Sequence, residues 1–501
     1  MSREERPRFR VELDVQAGRG AEPPAGERPG ADEPFLLAIL GDFRGRGDRG
    51  DRGIVETGPP PVNRRPAFVD RDDFDDVIAR LAPELVLPAG ERGEPVPVRF
   101  AEIDDFHPDR LYERLPLFRA LRELRGRPPA SPAAPTRQAP ASGASVLDDI
   151  LGGPVEGAAP PARQREDELQ AFVRRVVAPH LVPSPTPGQA EHAAQVDAAI
   201  ADRMRAILHD PAFQRLEALW RAVWLLVRRV ETGEQLKVAL FDVTRAELEA
   251  GLGAEDAPER SDVARMLQAS AAGAGAPWAV LVAAHELGAR DAQLAERLAG
   301  VGRALGAPWL ADAGPTLVGA RHLEGTPDPN DWERLGPAGW ELLRRRPEAA
   351  YLGLALPRVL LREPYGAKAE PCERLAFEEV VPAGGPPPHD QLLWGSPAIA
   401  CALLLAESFA DQGWGMREGS RLDIGGLPLH VFRDPDGESR AVPCAEALLT
   451  ERAVARIVEL GVMPLMSRAG GDEVRLLRFQ SVADPLTPLA GRWRSATHDD
   501  D

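Results

Sequence analysis

The stretch VDAAIADRMRAILHDPAFQRLEALWRAVWLLVRRV, Val196 to Val230, decides how the chain reads. Val196, Ile200, Met204, Ile207 and Leu208 fall on one face of a 3.6-residue helix. Asp210-Pro211 ends that helix and starts another, because proline breaks a helix from within but suits its first position, with the preceding Asp as N-cap. The second helix carries Phe213, Leu216, Leu219, Trp220, Val223, Trp224 and Val227. A band that wide must be covered on more than one side, which predicts a core helix.

Working outward, LKVALFDV (from Leu236) predicts a strand, and Thr244 with Glu247 forms a capping box that opens a helix. WAVLVAAHEL predicts a second strand, DAQLAERLAGVGRALG a helix stopped at Gly306, and PWLADA a third strand. Near-continuous apolar strands alternating with helices predict a mixed α/β fold, a mainly parallel sheet flanked by helices on both faces. Upstream, Phe9, Val11, Leu13 and Val15 alternate as in a half-buried strand, and FLLAILGDF from Phe35 predicts a strand buried on both faces. FVDRDDFDDVIARLAPEL predicts a short strand and a helix, and VPVRFAEIDDFHPDRLYERLPLFRALREL a strand followed by helices starting at Pro108 and Pro116. From about 126 to 165 the chain turns to Pro, Ala, Ser and Gly, the composition of a linker. Its one apolar island, 145–153, aligns Leu147, Ile150 and Leu151 on a helical face, suited either to docking or to packing on the fold. Downstream, GGLPLHVFRDPDGE predicts a hairpin turning at Asp436-Gly437, and VPCAEALLTERAVARIVELGVMPLM a helix leading to a strand.

Composition narrows the function. The net charge of −18 disfavours nucleic-acid and anionic-lipid binding. No apolar run reaches the roughly 18 residues of a membrane span, and the N-terminus lacks the apolar core of a signal peptide, which predicts a cytoplasmic protein. Cys372, Cys401 and Cys444 are too few and too scattered for a disulfide framework or a Cys-x-x-Cys metal pair. Gly45, Gly47 and Gly50 have the spacing of a dinucleotide-binding turn, but the following DRGIVETGPPPVNRRP cannot supply the helix such a turn needs. Asp70, Asp72, Asp73, Asp75 and Asp76 crowd a helix start, which the macrodipole favours without any metal. His285 ends a strand with no nucleophile or second base at motif spacing. No Walker loop, Gly-x-Ser-x-Gly or His-Glu-x-x-His is present, so neither catalysis nor a cofactor is expected.

The run His209, Phe213, Gln214, Leu216, Glu217, Trp220, Arg221 resembles the signature of the large subunit of type VI secretion contractile sheaths. YLGLALPRVLLREPYG, with Pro357, Arg358 and Tyr365, and LLWGSPAIACALLLAESFADQGW, with Trp394 and Trp414, are similar to two further stretches of that subunit. The N-terminal pattern, strand by strand from LAILGDF to LREL, resembles the sheath small subunit. The resemblance therefore implies both subunits on one chain: a small-subunit-like domain at 1–125, the linker at 126–165, a large-subunit-like domain at 166–485 and an acidic tail at 486–501. It implies self-association into rings or tubes around an inner tube protein, attachment to a baseplate, and recycling by an AAA+ ATPase that would grip Leu147, Ile150 and Leu151. Strand exchange between protomers would use Phe9, Val11, Leu13 and Val15. Family large subunits run well past Gln480–Val482, whereas this sequence stops within about twenty residues, leaving a non-polymerising adaptor or cap as the alternative.

Overall fold

The computed structural model describes residues 29–47, 64–91, 93–126, 189–253, 257–324, 328–333, 338–381, 384–417 and 419–494. The strands are β1 (Phe35–Gly41), β2 (Ala67–Val69), β3 (Glu84–Leu87), β4 (Val96–Arg99), β5 (Leu236–Asp242), β6 (Trp278–Leu287), β7 (Trp309–Ala313), β8 (Leu352–Leu356), β9 (Val359–Leu360), β10 (Trp394–Gly395), β11 (Asp423–Ile424), β12 (Val431–Arg433), β13 (Ser439–Ala441), β14 (Val462–Ser467) and β15 (Val474–Leu476). The α-helices are α1 (Phe74–Leu81), α2 (Pro108–Arg114), α3 (Pro116–Gly126), α4 (Gln189–Leu208), α5 (Pro211–Val227), α6 (Arg245–Leu252), α7 (Asp262–Ala274), α8 (Ala292–Leu305), α9 (Ala338–Arg344), α10 (Pro397–Gln412) and α11 (Glu451–Glu459).

Nine strands form one sheet in the order β11-β15-β14-β8-β7-β6-β1-β5-β2. The six from β14 to β5 run parallel, and β15 and β2 close the parallel block with antiparallel pairings. β1 is hydrogen-bonded on both sides, Phe35 to Gly41 in register with Leu236 to Asp242 of β5, and Leu36 to Leu40 along β6. Its residues alternate between two cores. Phe35, Leu37 and Ile39 join the layer built from α1, α4, α5 and α10, whereas Leu36, Ala38 and Leu40 join the layer under α6, α7, α8 and α11. That is why the segment reads as an unbroken apolar run: both faces of the strand are covered. The N-terminal and C-terminal blocks of the sequence thus share one sheet.

The helix corner forms as its residues require. Asp210 accepts hydrogen bonds from the Ala212 and Phe213 amides at 2.9 and 3.3 Å, with Pro211 opening α5. Val196, Ile200, Met204, Ile207 and Leu208 are all buried. The Trp220 indole donates to the Phe43 carbonyl at 3.1 Å and packs edge-on against Phe43 and Phe74, so α5 clamps the N-terminal block onto the sheet. The capping box of Thr244 and Glu247, the left-handed Gly306 cap and the β12–β13 hairpin stand where their residue types put them.

Three features depart from the sequence reading. α1 stops at Leu81, with Ala82 left-handed, and the following Glu84–Leu87 becomes β3, paired with β4 in a separate two-stranded sheet. Helix α7 has no counterpart in the reading. Residues grouped with an acidic tail from 486 onward contribute to the core: Thr487, Leu489, Ala490 and Trp493 are buried. The strand with Phe9, Val11, Leu13 and Val15, and the island with Leu147, Ile150 and Leu151, lie outside the described residues.

Candidate functional site

The signature residues on α5 face a buried ionic network. Glu217 and Arg221 stand one helical turn apart, and the Arg221 Nε donates to Glu217 Oε1 at 2.7 Å. Arg362, from the loop after β9, lies between two carboxylates: its Nε donates to Glu217 Oε1 at 2.8 Å and its Nη1 to Glu379 Oε2 at 2.7 Å. These three are almost sealed from solvent, at 0% exposure for Glu217, 4% for Arg362 and 1% for Glu379. Tyr365 closes the group: its hydroxyl accepts from Arg221 at 3.0 Å, its backbone N–H donates to Glu379 Oε2 at 2.8 Å, and its ring lies 4.3 Å beneath the Arg362 guanidinium. His209 Nε2 approaches Glu379 Oε1 at 3.6 Å. Two guanidinium groups balance two carboxylates, the condition for keeping charge in a dry interior. Burial by itself raises the Glu379 carboxyl; the Arg362 charge, the neighbouring His209 and the Tyr365 amide outweigh it and hold it at about 2.

The other signature residues do separate work. Phe213 stands edge-on to Phe100 and Phe106, and Leu216 is buried beside them. Trp414 donates to the Glu33 carbonyl and packs on Phe35 and Phe409, locking the entry to β1. Gln214 donates to the Asp390 carbonyl at 2.8 Å. Pro357 is buried at the end of β8, and Arg358 beside it forms a two-pronged pair with Glu446. The Trp394 indole donates to the His389 carbonyl. Sequence reasoning missed Glu379 altogether and did not single out Arg362 as a site residue. Glu379 sits in a loop with no periodicity, so its role depends wholly on which helix the loop meets.

A second ionic joint ties the residues after β1 to those after β5. Arg46 donates from Nε to Asp242 at 2.9 Å and from Nη2 to Glu247 at 2.8 Å, and Arg64 also reaches Glu247. Burial opposes ionisation of Glu247, but the Arg64 and Arg46 hydrogen bonds prevail and hold it at about 2. Of the glycine-rich turn, Gly45 and Gly47 are described and Gly50 lies outside the described residues. Asp42 accepts the Arg46 and Gly47 amides at 2.8 and 2.7 Å, so these two N–H groups hold the protein's own carboxylate.

A cleft of about 830 Å³ opens at the C-terminal ends of β1, β5, β6, β7 and β8, with Thr244, His285, Glu286, Asp312, Arg358 and Ser396 among its walls. β5 and β6 flank β1 on opposite sides, so the cleft lies at the switch point where α/β sheets commonly hold ligands. His285 Nε2 meets the Val243 carbonyl at 3.1 Å, and burial depresses its basicity to about 4, leaving a neutral imidazole. Burial raises Asp312 to about 6, against hydrogen bonds from the Ser396 hydroxyl and the Ala398 amide. Glu324, His389 and Glu446 form the one cluster of metal-ligand type among the described residues. Arg358 occupies Glu446 from two sides, and a guanidinium there repels a divalent ion.

Comparison with known proteins agrees with this construction. The family model for VipB, the EvpB-type tail sheath N-terminal domain, matches residues 190–483. A second model, VipA of the type VI secretion system, matches residues 1–128. The type VI secretion system sheath protein TssC1 of Pseudomonas aeruginosa is 30% identical over 307 residues, covering 58% of this chain and 61% of that protein. The chain therefore spans less than two thirds of this curated relative. No described helix is long and apolar enough to cross a membrane. With a VipA-type block followed by a VipB-type block that meet in one sheet, the chain belongs to the type VI secretion sheath family and carries both sheath components in a single polypeptide.

Proposed function

We propose that this chain is a structural protomer of a type VI contractile sheath, assembling in the cytoplasm around an inner tube protein on a baseplate and driving that tube outward by contraction. The observation that carries the reading is the position of β1. A strand of the VipA-type block lies between two strands of the VipB-type block, so the two blocks pair within one chain. Fusion also sets the ratio of the two halves at one to one and raises their effective concentration to the order of millimolar. Work would come from two alternative packings between protomers, with no covalent step. The segment with Phe9, Val11, Leu13 and Val15 would add to a neighbour's sheet, and Leu147, Ile150 and Leu151 would present a helix to a recycling AAA+ ATPase.

Negative-stain electron microscopy of the purified chain, alone and co-expressed with its tube protein, tests this. Tubes or cog-like rings, lost on deleting residues 9–19, support the sheath. Discrete monomers or dimers in both samples overturn it and leave a non-polymerising adaptor or cap.

A further inference from the structure

The nine-stranded sheet ends at β2, and among the described residues no strand pairs with the outer side of β2. Phe68 in the middle of that strand is 40% exposed, although Val69 beside it is buried. A groove of about 340 Å³ opens at this edge, lined by Phe68, Leu236 and Val238 of the sheet and by Gly273 and Ala274 at the end of α7. An open strand edge carrying an exposed aromatic ring is a template for one more strand. β1 enters the sheet at the same end of β5: the Phe35 amide donates to the Gln235 carbonyl at 2.7 Å, and Thr232 and Gly233, just before β5, line the groove. β1 lies two strand spacings, roughly 10 Å, from β2. We propose that residues 9–15 of the same chain add to β2 as one more strand, with Phe9, Val11, Leu13 and Val15 turned toward the groove, so that a chain outside any assembly covers its own sheet edge.

Pattern, reach and charge select this occupant. FRVELDV is the one stretch outside the described residues with four large apolar residues in strict alternation. Fourteen residues, 16–29, join it to Gly30 and span up to about 46 Å when extended, several times the distance to β2. Five aspartates and one arginine stand between positions 70 and 76, directly after β2. Four arginines against two glutamates stand in the first ten residues, so the segment brings positive charge to a negative edge. The island at 145–153 carries Asp148 and Asp149 and no basic residue, and the same edge repels it. Ile54 and Val55, in the stretch before β2, are adjacent and would point to opposite faces of a strand. The contact goes beyond the sheath reading and stands whether or not the chain polymerises; in a sheath it would hold the segment until a neighbouring sheet competes for it.

Hydrogen exchange read by mass spectrometry tests this on the full chain across about a hundredfold dilution, with a synthetic peptide of residues 1–28 as the unprotected reference. Amides of residues 9–15 are expected to exchange about tenfold or more slower than in the peptide, at every concentration. Arg8→Glu with Arg10→Glu lies outside the described fold and Phe68→Asp changes an exposed side chain, so both keep the fold and both return the segment to within about twofold of the peptide. Leu342→Asp, at an exposed apolar residue on α9, leaves the protection unchanged. Protection that disappears on dilution places the segment on another copy and overturns the proposal. Peptide-like exchange in the parent chain, protection that survives in F68D, or the same loss in L342D also overturns it. The dilute chain is read directly, so a failure here leaves the electron-microscopy test of tube formation standing on its own.

Discussion

Replacing Arg362 with methionine tests whether the ionic network under α5 holds the fold together. Methionine keeps much of the apolar stem but none of the donors. Two bonds to Glu217, two to Glu379 and one to the Glu363 carbonyl are lost. Glu217 and Glu379 then remain almost fully buried without their shared cation. Stranding buried charge in this way costs about 3–5 kcal/mol. Urea unfolding of the full chain, followed by tryptophan fluorescence, reads the loss directly. The quadruple variant R362M/R221M/E217L/E379L removes both guanidinium groups and both carboxylates together and is expected within about 2 kcal/mol of the parent, since apolar replacement of a whole buried network is often close to neutral. The pH dependence supplies a second reading. The Glu379 carboxyl is held at about 2 against an ordinary 4.5, a difference of about 3 kcal/mol. Because the folded value is depressed, that stability is complete above about pH 4.5 and is lost as pH falls toward 2. R362M removes the principal opposing charge, so its acid unfolding begins at higher pH. A loss below about 1 kcal/mol in R362M, or a quadruple variant less stable than R362M, refutes the reasoning.

Two further outcomes follow from the same structure. Asp312, raised by burial to about 6 against an ordinary 3.8, loses stability as pH rises from about 4 through 6, so D312N should gain about 2–3 kcal/mol at pH 7.5 and nothing near pH 4; an equal gain at both pH values rules this out. Residues 189–501 expressed without the N-terminal block leave the facing edges of β5 and β6 unpaired and should aggregate, whereas co-expression with residues 1–126 should yield a soluble one-to-one pair; a soluble, cooperatively folding 189–501 fragment contradicts the shared sheet.

What the sequence determined by itself was local chemistry and the family. Asp210-Pro211, the Thr244–Glu247 box, Gly306 and the Asp436-Gly437 turn act through neighbours a few residues away, so their residue types suffice to place them. The unbroken apolar run of β1 and β6 also declared strands covered on both faces. Tertiary structure decided the rest. β3 is only four residues long after Pro83, too short for period two to assert itself against the helix before it. The insertion of β1 between β5 and β6, the burial of Leu489, Ala490 and Trp493, and the meeting of Arg362 and Glu379 with Glu217 all join positions far apart in the chain. A carboxylate's sequence neighbours do not specify which guanidinium it will face. That depends on how the elements carrying them pack, and only the folded sheet brings Glu217, Arg362 and Glu379 into one dry site.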